Sequence, residues 1–115
     1  MDFRKEVEKI IKKDPRYKTD AYEFVMQALW FTQSALKRST HVTGKELLGG
    51  IKEFALEQYG PMAKVVFEHW GIRETCDFGH IVFNMVDNKL MSKTDEDSID
   101  DFKDIYDFDK AFDVF

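Results

Sequence analysis

The chain has 115 residues and a formal net charge of −5, and 43% of its residues are apolar. This length suits one domain and the apolar content can fill a core, which argues against global disorder. The single cysteine excludes a disulfide within the chain, and no apolar run approaches the roughly 20 residues that span a bilayer. The first residues also lack the apolar run of a signal peptide. We therefore expect a cytoplasmic protein with no membrane segment.

Two helices are predicted within residues 1–38. The apolar residues of the first recur at helical spacing among charges: Phe3, Val7, Ile10 and Ile11. Pro15 ends this helix, because the residue before a proline avoids the helical conformation. Asp20 and Glu23 have the spacing of a capping box, which predicts a second helix over about residues 20–37. The segment AYEFVMQALWFTQSAL is apolar on nearly all sides, which is typical of a central helix.

Three further helices are predicted in the middle of the chain. Thr43 and Glu46 match the capping box, so a helix begins there, and Gly60 ends it. A short helix, MAKVVFEHW, follows. Thr75 can cap a last helix that ends at Asn88, a residue type that accepts the left-handed conformation.

The C-terminal segment alternates acidic and aromatic residues. Nine acidic and two basic residues fall within 94–115, which gives a local net charge of −7. Apolar residues occur among these charges more often than is expected for a free, solvated tail. We therefore predict that residues 99–112 are folded, with the aromatic rings inward and the carboxylates outward.

The order of elements predicts a mainly α protein that forms a single domain over residues 1–115. Within it we expect N-terminal helices in 1–38, a winged-helix-like core in 43–108 and a C-terminal end in 109–115. The core would hold three helices plus a small β-hairpin that pairs LMSK with DFKDIYDF. A helical alternative for residues 90–108 follows from a second spacing, that of Phe102, Ile105, Phe108 and Phe112. Periodicity leaves both open.

Metal-binding and catalytic patterns are sparse. Cys76 and His80 lie four residues apart on a predicted helix, with His69 upstream, but a structural zinc site needs four ligands. The run from Asp95 lacks the turn glycine and the final Glu of a calcium loop. No phosphate-binding loop or nucleophile motif occurs, and a cysteine–histidine pair without a third orienting group is a weak signal. We predict no enzymatic activity, no cofactor and no metal.

The predicted function is binding of a protein partner, or self-association as a homo-oligomer. Aromatic side chains are enriched at interface hot spots. Four of them are candidate partner-binding residues: Tyr17, Tyr22, Trp30 and Trp70. The alternative is a nucleic-acid-binding winged-helix regulator whose recognition helix spans about 75–88. That helix holds two Asp and no Lys or Arg, so nucleic acid is the less favoured partner.

Several runs of the sequence are distinctive: HVTG, ALEQYGPMA, WGI, DFG and the segment KTDEDS…DF…YDFD…AF. On these runs the chain resembles a small bacterial family of uncharacterised proteins, the Minf family, named for a verrucomicrobial locus. The resemblance covers nearly the whole chain and implies a bacterial cytoplasmic protein of one compact unit with a folded acidic segment. Cys76 and His80 lie outside the shared pattern. No residue carries over as catalytic, because the family brings no established activity.

Overall fold

The computed structural model describes residues 2–38 and 41–113. The helices in chain order are α1 (Phe3–Lys13), α2 (Thr19–Ala35), α3 (Gly44–Tyr59), α4 (Ala63–His69), α5 (Thr75–Asp87) and the short α6 (Phe108–Ala111). Two single 3₁₀ turns precede α4 and α6, at Gly60–Met62 and Ile99–Phe102. The prediction of a mainly helical protein is confirmed. Within the described ranges, no helix is long and apolar enough to cross a membrane.

Helix α2 lies at the centre of the fold, as its apolar sequence predicts. It packs against α1, α3 and α5. Its closest approach is to α3, where a Cβ on Gly50 would stand 1.7 Å from Oγ1 of Thr32. The neighbouring Gly49 faces open space. Close helix packing therefore accounts for the second glycine of the pair only.

The cap of α3 confirms the sequence pattern in full. The Thr43 hydroxyl accepts a hydrogen bond from the Glu46 amide at 3.1 Å, and the Glu46 carboxylate accepts one from the Thr43 amide at 2.9 Å. This reciprocal pair satisfies two backbone donors at the start of the helix. Gly60 ends the helix with φ of +51°, a conformation that suits glycine.

Two predicted N-caps, of α2 and α5, are wrong. Helix α2 begins at Thr19, and the residue before it, Lys18, makes no side-chain cap, so Asp20 lies inside the helix. Thr75 is the first residue of α5 itself, and Glu74 occupies the N-cap position. Asn88 is the C-cap of α5, as predicted, but Lys89 rather than Asn88 takes the left-handed conformation, with φ of +62°.

The predicted β-hairpin in residues 90–108 is also wrong, and with it the winged-helix-like core over 43–108, since the described residues contain no strand. Local hydrogen bonds form a turn instead. The Ser98 hydroxyl accepts from the Asp100 amide, and the Asp101 carboxylate accepts from the Ser98 amide. Such side-chain bonds compete with a strand ladder. Asp104, at φ of +50°, departs further from an extended chain.

The acidic segment is folded onto the helices with its rings inward, which confirms that prediction. Phe102, Phe108 and Phe112 are each at most 5% exposed. Phe67 of α4 lies at the centre of this aromatic cluster. Its ring centroid is 5.1–6.0 Å from those of five other rings in the described part of the chain: Phe24, Trp70, Phe78, Phe108 and Phe112.

Hydrogen bonds fix the same segment to α3 and α5. The Thr75 hydroxyl donates to the Phe102 carbonyl at 2.6 Å and accepts from the Ile105 amide at 3.2 Å. The Tyr106 hydroxyl donates to the Leu48 carbonyl at 2.8 Å. Burial raises the pKa of Tyr106, so this phenol keeps its proton and remains a donor.

Candidate functional site

A cavity of about 490 Å³ opens between α2, the start of α3, α5 and the residues that follow α5. Four of its lining residues are buried members of the core, and we call them the base of the cavity: Val42, Leu47, Val82 and Phe102. Trp30 stands at its edge. We call this cavity, lined by residues within 26–33, 41–47, 82–93 and 97–102, the Trp30 groove.

The indole of Trp30 is the most prominent feature of the groove. This side chain is 60% exposed, the largest exposed fraction among the large hydrophobic side chains of the described residues. Met26, Leu29, Trp30 and Gln33 all line the groove, and their spacing of i, i+3, i+4 and i+7 places them on one face of α2. Helix α2 therefore presents an apolar face outward, although its other faces pack in the core.

The groove also carries charged side chains. Asp97 and Asp101 line it, together with His41 and Lys93. The Asp97 carboxylate lies 3.2 Å from a ring nitrogen of His41 and accepts the Thr94 amide at 2.8 Å. The two aspartates are thus held in place by the backbone of their own loop.

The start of α3 forms an edge of the groove, and an ion pair holds it. The Arg38 guanidinium donates two hydrogen bonds to the Glu46 carboxylate, which also accepts the Thr43 amide. The Arg38 hydrogen bonds and then the Thr43 amide lower the pKa of Glu46 to about 2. Glu46 is therefore ionised over the ordinary pH range.

Of the four candidate partner-binding residues, the structure exposes Trp30 and buries Tyr17, Tyr22 and Trp70. The Tyr17 hydroxyl donates to Asp77 of α5 at 2.5 Å, and burial with this bond raises the pKa of Tyr17. The three buried rings pack inside the fold, so they are not accessible to a partner in this conformation.

A polar network joins the turn after α1 to α5. The Asn84 amide donates to the Tyr22 hydroxyl at 3.1 Å and to the Asp14 carboxylate at 2.9 Å. Asp14 also accepts two hydrogen bonds from the Arg16 guanidinium, which is the main reason that the pKa of Asp14 is lowered. These groups satisfy one another, as a structural network does.

The cysteine and histidine residues do not converge on a site in the described residues. The Cys76 sulfur lies 3.7 Å from Nε2 of His80, whereas His69 lies at the end of α4. In the ranges 2–38 and 41–113, no three His, Cys, Asp or Glu side chains are grouped so that they could hold a metal ion. Burial, followed by the charges of Glu74 and Asp77, raises the pKa of the Cys76 thiol. A protonated thiol is a poor nucleophile.

A second cavity, of about 460 Å³, lies between α4 and the acidic segment. Charged residues of both signs line it, and Lys64 pairs with Asp109. Most of its lining residues are charged, and Tyr106 and Phe108 are its aromatic members. The Trp30 groove, with its buried apolar lining and exposed indole, is the stronger candidate for a binding site.

The groove could not be predicted from the sequence, because four separated parts of the chain form it. Trp30 was the one groove residue that its aromatic character indicated. Asp97 and Asp101 look like members of a solvated acidic run until the loop is folded.

Comparison of the chain with protein-family models, curated proteins and solved structures finds no match.

Proposed function

We propose that this protein is a non-enzymatic protein-binding module and that the Trp30 groove is its binding surface. The observation that carries the proposal is the 60% exposed indole at the edge of a groove lined by buried apolar residues. Tryptophan is among the residues most enriched at interface hot spots. Covering the exposed part of such a side chain would contribute roughly 2–3 kcal/mol of apolar burial.

Two features support binding rather than catalysis. The raised pKa of Cys76 argues against a thiolate nucleophile. The carboxylates of Asp97 and Asp101 accept amides of their own loop, which is the arrangement of turn-stabilising side chains. A shaped apolar surface with such a fixed polar border resembles an interface core and its rim.

The alternative function, a nucleic-acid-binding regulator, has less support. It depended on a winged helix, and the described residues form no wing. The acidic loop beside the groove would repel phosphates. Membership of the Minf family, a bacterial source and a cytoplasmic location are further proposals, which depend on the sequence resemblance and composition.

The proposal is tested with a Trp30→Ala variant, because the exposed side chain can be removed without opening the core. The matched control is Val65→Ala on α4, where the side chain is 54% exposed and lies outside the groove lining. Each protein is used for quantitative affinity capture from extract of the source cells and for sedimentation over a range of concentrations.

We expect the wild type to retain a partner or to self-associate. Trp30→Ala should weaken that association by roughly tenfold or more, and Val65→Ala should leave it unchanged. A wild type that neither captures a protein nor self-associates contradicts the proposal. Equal behaviour of wild type and Trp30→Ala contradicts it as well.

A further inference from the structure

The acidic charge beside the Trp30 groove is concentrated in one loop. Residues 94–101, TDEDSIDD, hold five acidic residues and no basic one. Two of the five, Asp97 and Asp101, line the groove itself. The nearby Lys93 donates to the Thr94 carbonyl, Lys103 pairs with Asp100, and a ring nitrogen of His41 lies 3.2 Å from Asp97. The loop therefore keeps a net negative charge next to an apolar surface.

The α2 side and the loop side of the groove therefore favour different chemical groups on a ligand. The α2 side offers Met26, Leu29 and Trp30, which would bury apolar side chains. The loop side offers fixed carboxylates, which would attract cations and repel anions. A ligand that satisfies both sides must be apolar along one line and basic along the adjacent line.

An α-helix presents those two lines more readily than an extended peptide does. Residues at i, i+3, i+4 and i+7 form an apolar stripe, and flanking positions can carry Lys or Arg. A peptide that binds by strand addition needs the edge of a sheet, and residues 2–38 and 41–113 form no strand to which it could add.

From these observations we infer that the partner of the Trp30 groove is a basic amphipathic helix. Its apolar stripe lies against Trp30 and the buried base, and its Lys or Arg residues lie along Asp97 and Asp101. This inference rests on the proposed function and specifies the chemistry of the partner. A second copy of this chain fits less well, because its net charge of −5 would oppose association with an acidic loop.

The test uses two synthetic helical peptides of about 18 residues with the same apolar positions and no tryptophan. The first carries Lys along one flank of the apolar stripe, and the second carries Glu at the same positions. Binding is followed by the fluorescence anisotropy of a dye attached to each peptide at about 50 mM salt, where charge effects are weakly screened. Amide chemical shifts then locate the peptide on the protein.

We expect the basic peptide to bind at least roughly tenfold more tightly than the acidic one. Shifts should concentrate in α2 and in residues 90–102. The variant Asp97→Asn/Asp101→Asn keeps oxygens that accept the Thr94 and Ser98 amides but removes both charges. It should reduce the preference for the basic peptide to roughly threefold or less.

A charge-matched control separates the loop from the overall charge of the protein. Asp107→Asn/Asp109→Asn changes the net charge by the same amount, but these residues line the second cavity and not the groove. This control should keep the preference of the wild type. Loss of preference in the control to the same extent as in the loop variant overturns the inference, as does equal binding of the two peptides by the wild type.

Trp30→Ala distinguishes failure of the inference from failure of the proposed function. If both peptides bind equally and Trp30→Ala weakens both, the groove binds helices without regard to charge and the inference alone fails. If the basic preference is present but insensitive to Trp30→Ala, the groove is not the site and both fail. A dimer that Trp30→Ala abolishes, with neither peptide bound, also overturns the inference and leaves the proposed function standing.

Discussion

Phe102 lies directly on Gly79 of α5, so closely that a Cβ on this glycine would stand 2.8 Å from both Cβ and Cγ of Phe102. Gly44 of α3 faces the same ring, 2.9 Å from its Cε2 atom by the same measure. Glycines on two helices thus leave the space that the Phe102 side chain fills. That side chain anchors the acidic segment and also forms part of the base of the Trp30 groove.

Gly79→Ala should therefore destabilise the protein by about 2 kcal/mol, because the side chains of Phe102 and Ile99 must both move to admit the added methyl group. Urea denaturation measures the change. An unchanged midpoint would show that Phe102 is not seated as described.

The adjacent glycines of α3 should respond with opposite signs. Gly49 is exposed and has open space at its Cβ position, so Gly49→Ala should stabilise the helix by roughly 0.5–1 kcal/mol. Gly50→Ala would collide with Thr32 and should destabilise the protein. Thr32→Ala should recover part of that loss. Equal effects of the two glycine substitutions would contradict the packing of α2 on α3.

Part of this fold could be predicted from the sequence. The capping box at Thr43 was predictable, because its bonds join residues three apart. The inward direction of Phe102, Phe108 and Phe112 followed from the density of apolar residues among charges. In contrast, the space that Phe102 fills exists because residues 44 and 79 are glycines, and both are distant from Phe102 in the chain.

The hairpin prediction failed for a related reason. The spacing of apolar residues in 101–108 fits either a strand or a helix. The turn cap at Ser98 and the tertiary hydrogen bonds of Thr75 and Tyr106 determine the conformation that the segment adopts. The Ser98 cap joins residues two and three apart, so it leaves a local pattern, but no local pattern reports the long-range bonds of Thr75 and Tyr106. The groove was beyond the sequence for the same reason, since its apolar and acidic sides come from different segments.

Thr43→Ala should destabilise the protein by about 1 kcal/mol, because the Glu46 amide loses its hydrogen-bond acceptor at the start of α3. Thr43→Ser keeps the hydroxyl and serves as the control. Thermal or urea denaturation gives both values. If alanine and serine are equally stable at this position, the cap contributes nothing.

Glu46 should make stability depend on pH in acid. Its pKa falls from an ordinary 4.5 to about 2 in the folded protein, chiefly through the Arg38 hydrogen bonds. Because the folded pKa is the lower one, this contribution is fully present above pH 4.5 and is lost as the pH falls towards 2. The stability advantage of wild type over Glu46→Gln should shrink across that window. An advantage that stays constant there would contradict the ion pair.

Truncation after Ser92 should give an aggregating or unfolded product. The shortened chain lacks the aromatic side chains that cover Phe67 and Phe78, whose rings contact Phe108. Circular dichroism and light scattering report the outcome. A soluble fragment with the stability of the full chain would show that the segment is dispensable for the fold.

The central claim is that the acidic segment is a docked part of the fold, and amide hydrogen exchange of the full chain resolved by residue tests it most directly. The Ile105 amide should exchange at least roughly a hundredfold more slowly than in an unfolded chain, because it donates to the buried Thr75 hydroxyl. Thr75→Val, which removes that acceptor, should abolish the protection, whereas Thr75→Ser should retain it. Exchange of Ile105 and Phe112 at unfolded-chain rates in the wild type would contradict the docking and the groove built on it.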